Sequence, residues 1–185
     1  MLLWALVALF AVSEIALAIS RRADPESAHV QDEGSMRLLW TVISVSWFAG
    51  AALAFIPHTR LPRAPALHRT IALALLAGGL TLRWLAILWL GRLFTVDVAI
   101  SKEHVMVESG PYRWLRHPSY TGLLLAFAGI AALMWNWLSM VAILVPIWLA
   151  LAVRIRREED ALGSQFGAAY RAYCERTWRL VPWVY

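Results

Sequence analysis

A single cysteine, Cys174, stands in a chain of 185 residues. One thiol excludes an internal disulfide, and without a CxxC partner it offers no zinc pattern, so it reads as a small residue of the tail. Charge is scarce as well: Asp, Glu, Lys and Arg make up 16% of the residues, against 61% hydrophobic. That balance excludes an ordinary soluble domain and points to a membrane protein. The net charge of +5 does not signal nucleic acid, because the basic residues are spread over loops. No Lys or Arg precedes the first apolar run, whereas Arg21 and Arg22 follow it. This reverses the secretory arrangement, so Ala16-Leu17-Ala18 is not expected to be a cleavage site. The closing PWVY has no prenylation cysteine.

Apolar runs are what the chain has in abundance. Those at residues 2–19, 39–56 and 71–90 each approach the roughly 20 residues needed to cross a bilayer. A further stretch, 121–153, is too long for one ordinary span and carries Trp135-Asn136-Trp137 near its middle. It is expected to form two helices, about 119–134 and 137–153, as a hairpin that either crosses fully or is partly re-entrant. The expected fold is therefore an all-α integral membrane protein of about five transmembrane helices. The last two form a short helical hairpin, followed by an amphipathic cytoplasmic C-terminal helical tail. Within one membrane domain this gives spans and loops over 1–90, a loop over 91–120, the hairpin over 121–153 and the tail over 154–185. Of eleven Trp, Trp4, Trp40, Trp89, Trp135 and Trp137 fall near run ends, where indoles sit at headgroup level. Trp47, Trp84 and Trp148 read as packing residues. Glu14 and Arg83 interrupt the first and third runs and should face the bundle interior or a cavity rather than lipid.

With five spans the termini lie on opposite sides. Thirteen Lys and Arg then fall on the face that holds the first loop, the third loop and the tail, and only Arg60, Arg63 and Arg69 on the other. The positive-inside rule puts the N-terminus outside and the third loop and tail together in the cytoplasm.

Two polar clusters share that face. GPYRWLRHPSYTG, residues 110–122, gathers Arg113, Arg116 and His117 at the start of an apolar run. Pro111 and Pro118 disfavour a helix running straight through it. Arginine brings a planar fork for carboxylates, and histidine both a donor and an acceptor when neutral. In the tail, Glu158 and Glu159 follow Arg154, Arg156 and Arg157, while Leu162, Phe166, Tyr170 and Tyr173 line one helical face if the chain stays helical through Gly163 and Gly167. Either glycine could mark a close approach or a break. Snorkelling anchors, surface ion pairs and an interfacial helix are the plainer accounts of the same residues.

GPYRWLRHPSYTG resembles the GPYxxxRHPxYxG signature of the isoprenylcysteine carboxyl methyltransferase and phospholipid methyltransferase superfamily of integral membrane enzymes. EEDALGSQFGAAYRAYCERTWRLVP is similar to that superfamily's second block, in which paired acids precede a leucine, an FGxxY element, a further tyrosine and a terminal arginine and proline. SKEHVMVESGPY fits the lead-in, and together the blocks cover about residues 100–183. The resemblance implies S-adenosylmethionine (SAM) held between the end of the membrane core and the folded-back tail. The missing GxGxG cradle is then no objection. By motif, His117 and Tyr120 would belong to the cofactor face, with His104, Gly110, Pro111 and Tyr112 shaping or touching it. Glu158 and Glu159 would enter the cofactor or reaction pocket, Phe166 and Tyr170 would hold the tail, and Arg176 or Arg179 would close it.

Methyl transfer from a sulfonium is an in-line displacement, so positioning and exclusion of water carry much of the catalysis. A carboxylate acceptor needs no base, and Arg116 is the expected group to hold it. An amine must first lose a proton, which would require Glu158 or Glu159 with a raised pKa. The leading expectation is esterification of a prenylated or lipid-like carboxylate reaching the site through the bilayer. Phospholipid or other amine N-methylation, thiol S-methylation, a non-catalytic scaffold and a nicotinamide-dependent reductase stand as alternatives. The ending TWRLVPWVY is closer to the superfamily's bacterial branch than to eukaryotic prenyl-protein enzymes, which implies a bacterial plasma membrane and a smaller acceptor than a prenylated protein.

Overall fold

The computed structural model describes residues 2–20, 28–30, 34–62, 64–94, 99–101 and 106–184. Six helices carry the architecture: α1 (Leu2–Ser20), α2 (Ser35–Leu53), α3 (Pro65–Leu90), α4 (Pro118–Ala132), α5 (Trp137–Phe166) and α6 (Ala168–Glu175). Two short strands, β1 (Ala28–Val30) and β2 (Ala99–Ser101), pair antiparallel with His29 opposite Ile100. The loop following α1 and the loop following α3 are thereby joined on one side of the bundle.

Local chemistry sets the helix ends. Pro65 and Pro118 occupy the first turns of α3 and α4, where a missing N–H is harmless. Between α4 and α5 the chain reverses at Trp135, which adopts a φ of 55°. Asn136 then caps α5 by accepting from the Ser139 N–H at 3.1 Å, and its amide nitrogen donates to Leu53 O, Ile56 O and Thr59 Oγ1. One buried side chain thus fixes the hairpin turn against the end of α2.

Helices α2, α3 and α5 are long and apolar enough to cross a bilayer, while the apolar parts of α1 and α4 are shorter. At 15 residues, α4 is about 22 Å long, less than a bilayer's hydrocarbon core. Small residues bring α3 and α4 together backbone to backbone. A Cβ on Gly79 would lie 2.4 Å from Ala126 N, one on Gly122 2.5 Å from Arg83 N, and one on Gly129 2.6 Å from Leu76 N. Such stripes let membrane helices approach where no hydrophobic effect drives them together. Leu76, Leu80, Leu123, Phe127, Ile130, Ile143, Ile147 and Leu151 fill the interior, and Phe10 of α1 meets Phe127 edge-on at 5.3 Å. Leu85, Leu88 and Leu149 face outward, as expected of an integral membrane protein.

Two expectations change. The hairpin and the tail are not separate at residue 153: α5 runs unbroken for 30 residues, about 45 Å, and carries Arg154 to Phe166 beyond its apolar stretch. Nothing at residue 154 breaks a helix, and a Cβ on Gly163 would meet only Tyr170 at an ordinary 3.9 Å. The break comes at Gly167, whose φ of 54° ends α5 and turns the chain into α6. Trp148, read as a packing residue, lies on the outer surface, and Trp47, read likewise, lines a cavity and is half-exposed, whereas Trp84 packs on the core.

Candidate active site

The signature loop and the tail are laced together by backbone. Gly110–Arg113 forms a 3-10 turn, after which Leu115 and Trp178 make a parallel bridge. Arg116 N donates to Trp178 O at 2.7 Å, His117 N to Arg179 O at 3.1 Å, and Trp178 N to Trp114 O at 3.1 Å. Thr121 Oγ1 donates to Leu180 O at 2.7 Å, and Tyr173 Oη to Tyr112 O at 2.7 Å. Residues about sixty positions apart thus form one rigid face at the mouth of the bundle.

On this face His117 sits between the paired acids. Its Nδ1 is 3.2 Å from Glu158 Oε2 and its Nε2 3.4 Å from Glu159 Oε1. A neutral ring would turn a lone pair toward one carboxylate, so this geometry suits the imidazolium. Burial alone would lower the pKa of His117, but the hydrogen bonds and charges of Glu158 and Glu159 outweigh it and raise the pKa. The acids move the other way. Burial favours the protonated form of each, yet hydrogen bonds from His117 and nearby cations prevail, lowering Glu158 and bringing Glu159 to about 2. The raised carboxyl pKa that an amine acceptor would require is therefore absent, because each acid is packed among cations.

The two acids differ in what they face. Glu158 lines a cavity of about 530 Å³ and accepts from Tyr120 Oη, which in turn accepts from Arg154 Nε at 2.7 Å. Arg154, fully buried, also donates to Ser35 Oγ at 3.0 Å and so fixes α2 to the cluster. Glu159 stands behind this wall and off the cavity lining. It accepts from Arg116 Nε at 2.9 Å and Arg179 Nε at 2.8 Å. Arg116, expected to grip an acceptor carboxylate, lines the cavity and is also engaged with the tail, for its Nη1 donates to Cys174 O at 3.0 Å and Thr177 O at 2.5 Å.

Of the other expected residues, Tyr112, Tyr120 and Tyr170 line the cavity beside Arg116, His117 and Glu158. Gly110 and Pro111 do not; Gly110 has a φ of +60°, and a Cβ there would lie 2.3 Å from the Trp89 ring, so it is a packing requirement. Phe166 is half-buried at the end of α5, away from the lining. Arg176 pairs with Glu108 on the exposed side, leaving Arg179 as the arginine that reaches the cluster. His104 lies outside the described residues. Arg154, Tyr173 and Ser35 join the site as well; the sequence places Arg154 beside the paired acids and Tyr173 on the face of Tyr170 without giving either a part in it. Arg154 stands one helical turn before Glu158, the spacing that pairs charges on a helix, and that signal was available; Ser35 carried none.

The cavity fits a polar aromatic cofactor. Tyr170 Oη is buried, lines the cavity and has no hydrogen-bond partner among the described residues. Beside it stand Tyr112, Tyr120 and Tyr173, with Glu158 and His117 to meet opposite charges. Away from this polar end the lining becomes apolar through Phe10, Leu39, Ile43, Leu123 and Phe127.

Fold and site together define an integral membrane protein whose ligand cavity is closed by a folded-back tail. The model of the isoprenylcysteine carboxyl methyltransferase (ICMT) family matches residues 71–164, and the chain belongs to that family. It is similar to protein-S-isoprenylcysteine O-methyltransferase B of Arabidopsis thaliana, with 39% identity over 108 residues, 57% of this chain and 55% of that protein. It is also similar to the Schizosaccharomyces pombe protein-S-isoprenylcysteine O-methyltransferase, with 33% identity over 117 residues, 62% of this chain and 50% of that protein. A solved structure of the eukaryotic intramembrane Ras methyltransferase ICMT superposes with a TM-score of 0.69 at 28% identity, covering 98% of this chain and 65% of that one. The chain spans about half the length of the curated relatives it matches.

Proposed function

We propose that the chain is a SAM-dependent O-methyltransferase that esterifies the carboxylate of a prenylated or lipid-like acceptor. The observation that carries this reading is His117 between two glutamates that are both held as anions. With Glu158 and Glu159 locked among cations, neither is poised to take a proton near neutral pH, so the acceptor must arrive already nucleophilic. The described cavity lining carries Arg83, Arg116, Arg154 and His117 against Glu14 and Glu158, an excess of positive charge that favours an anionic acceptor over an ammonium. The relatives' names, O-methyltransferases of isoprenylcysteine, point the same way.

When bound, SAM supplies an electrophilic methyl group on a sulfonium. Glu158 and His117 are suited to its amino-acid end and Tyr170 to its adenosyl part, while Glu159, Arg116 and Arg179 keep the tail closed so that water is excluded. The apolar lining would take a prenyl or acyl chain, at roughly 0.8 kcal/mol per buried CH₂. We place all five apolar helices in the bilayer, with the N-terminus outside and the site cytoplasmic, on the strength of the arginine distribution; TWRLVPWVY supports a bacterial plasma membrane. The three N-terminal spans over 1–90 would frame the acceptor's path, and residues 154–185 would form the cofactor lid.

The test is calorimetric titration of the protein in lipid nanodiscs with SAM, S-adenosylhomocysteine and NADPH. Saturable binding of SAM or its product, weakened in a folded His117→Ala variant, is expected. A folded protein that binds neither, or that binds NADPH instead, removes the methyltransferase reading.

A further inference from the structure

Inside the bundle the acids are matched by cations. Arg83 Nε and Nη2 hold the two carboxylate oxygens of Glu14, and the paired acids of the tail meet His117 and Arg116. The outer face of the signature loop and the tail has no such account. Trp114 is 57% exposed, Trp183 84% and Val184 79%, with Val181 beside them, and no part of the site uses these side chains. Trp183 adopts a φ of 63°, in the left-handed region that bulky residues rarely enter. It sits in a tight turn in which Val184 N donates to Val181 O at 3.2 Å, and its ring lies 5.3 Å from that of Trp178. In the loop bridged to Trp178, the Arg113 guanidinium lies 5.6 Å from the centroid of the Trp114 ring. Arg116 and Arg179 are held by Glu159, and Arg176 by Glu108. Arg113 is exposed and makes no ion pair among the described residues. Residues 110–122 and 176–184 contain no Asp or Glu.

We infer that this face, Arg113 and Trp114 with Val181, Trp183 and Val184, seats in the headgroup layer of an anionic bilayer. Its level matches. Gly110 packs on the ring of Trp89, which is half-exposed and follows the lipid-facing Leu88 at the end of α3, while Leu180 O accepts from Thr121 Oγ1 in the first turn of α4. The face therefore borders the rim where the lipid-facing surface of the bundle ends, the depth at which indoles sit between hydrocarbon and water. Its chemistry matches as well. Exposed apolar side chains beside an arginine free of ion pairs, with no acid in either segment, suit a negatively charged membrane surface. A second copy of the chain would instead set one acid-free, arginine-bearing face against another. The seat adjoins the bonds that close the site, because the Trp178 and Arg179 carbonyls that accept from Arg116 N and His117 N lie in the same stretch. The inference holds whichever acceptor is methylated.

The test exploits the single cysteine. In a Cys174→Ser background, Val184→Cys carries a thiol-linked fluorophore, and its shielding from a neutral aqueous quencher is measured in two kinds of nanodisc, phosphatidylcholine alone and phosphatidylcholine mixed with phosphatidylglycerol. The ratio of shielded to open probe is expected to rise by about 5-fold with the anionic lipid, the factor for one arginine at a negative surface. Arg113→Gln should remove that rise, and Trp183→Ser should lower shielding in both lipids. Both side chains are exposed, so neither change threatens the fold. Quenching that is the same in the two lipids, or a rise that survives Arg113→Gln, overturns the inference. Shielding that appears only in discs holding two chains would assign the face to a second copy and overturn it as well.

Discussion

Replacing Glu159 with alanine tests whether this acid acts through the tail rather than on the ligand. In the wild type Glu159 neutralises Arg116 and Arg179 and sits against His117. Its contact with Arg116 is well shielded, at 11% and 12% side-chain exposure, and a charge-assisted hydrogen bond of this kind is worth about 1.5–3 kcal/mol. Arg179 is 35% exposed, so solvent screening holds its share below about 1 kcal/mol. Docking of the tail should therefore weaken by about 2–4 kcal/mol, which multiplies the undocked population by about 30- to 800-fold. Hydrogen exchange of the amides in residues 168–180, measured in nanodiscs without ligand, should accelerate within that range. Glu158→Gln, which alters the cavity wall, should change SAM binding more than exchange. Unchanged exchange in Glu159→Ala, together with lost SAM binding, would refute the division of labour and return Glu159 to the ligand.

Removal of the Tyr170 hydroxyl in Tyr170→Phe should leave the melting temperature of the ligand-free protein unchanged, since Oη has no partner to lose, yet weaken SAM binding several-fold, about 0.5–1.5 kcal/mol; equal affinities would remove Tyr170 from the cofactor face. Arg83→Met leaves Glu14 buried without its cation and should lower stability in detergent by about 3–5 kcal/mol; unchanged melting would show that the pair carries no structural load. Gly122→Val places a branched side chain where even a Cβ lies 2.5 Å from Arg83 N, and should cost about 1–3 kcal/mol or more in thermal stability, whereas Gly78→Ala, with nothing within 4 Å of the added Cβ, meets no such contact. Tail docking should also follow pH. Glu159, lowered from 4.5 to about 2, contributes stability that is present above 4.5 and lost as pH falls toward 2; His117, raised from 6.5, contributes stability that is full below 6.5 and lost as pH rises through its folded value. Protection of residues 168–180, taken as the intrinsic exchange rate at each pH divided by the observed rate, should therefore be greatest between about pH 4.5 and 6.5, and His117→Ala should flatten its alkaline decline; a decline intact in that variant would assign it to another group.

The order of helices was readable because apolar runs of membrane length and Trp135-Asn136-Trp137 leave few alternatives. The meeting of the two polar clusters was readable too, since the third loop and the tail share one side of the charge distribution. What each member does was not. Whether Arg116 points at a ligand or at the carbonyls of residues 174 and 177 depends on where the tail returns, and that is decided by Gly167 and the parallel bridge between Leu115 and Trp178. The sequence places Glu158 and Glu159 side by side, but their helix angle separates them, one toward the cavity and one toward the tail. Arg83 and Glu14 were visible as charges in apolar runs, but their pairing across 69 positions needs the glycine-mediated approach of α3 to α4 and the seating of Phe10 on Phe127. The start of α5 at Trp137 was readable, but its C-terminal end lies past the expected residue 153, because a drop in hydropathy at residue 154 marks a change of solvent, not a change of backbone.

The most direct test of the central claim is the identity of the methylated product. Purified protein in nanodiscs is incubated with methyl-labelled SAM and an equimolar mixture of a prenyl thioether carboxylic acid, a prenyl thiol and a lipid amine. The account predicts label in a base-labile methyl ester of the acid, abolished in Glu158→Ala. Label in the amine or the thiol, with the acid untouched, would contradict it.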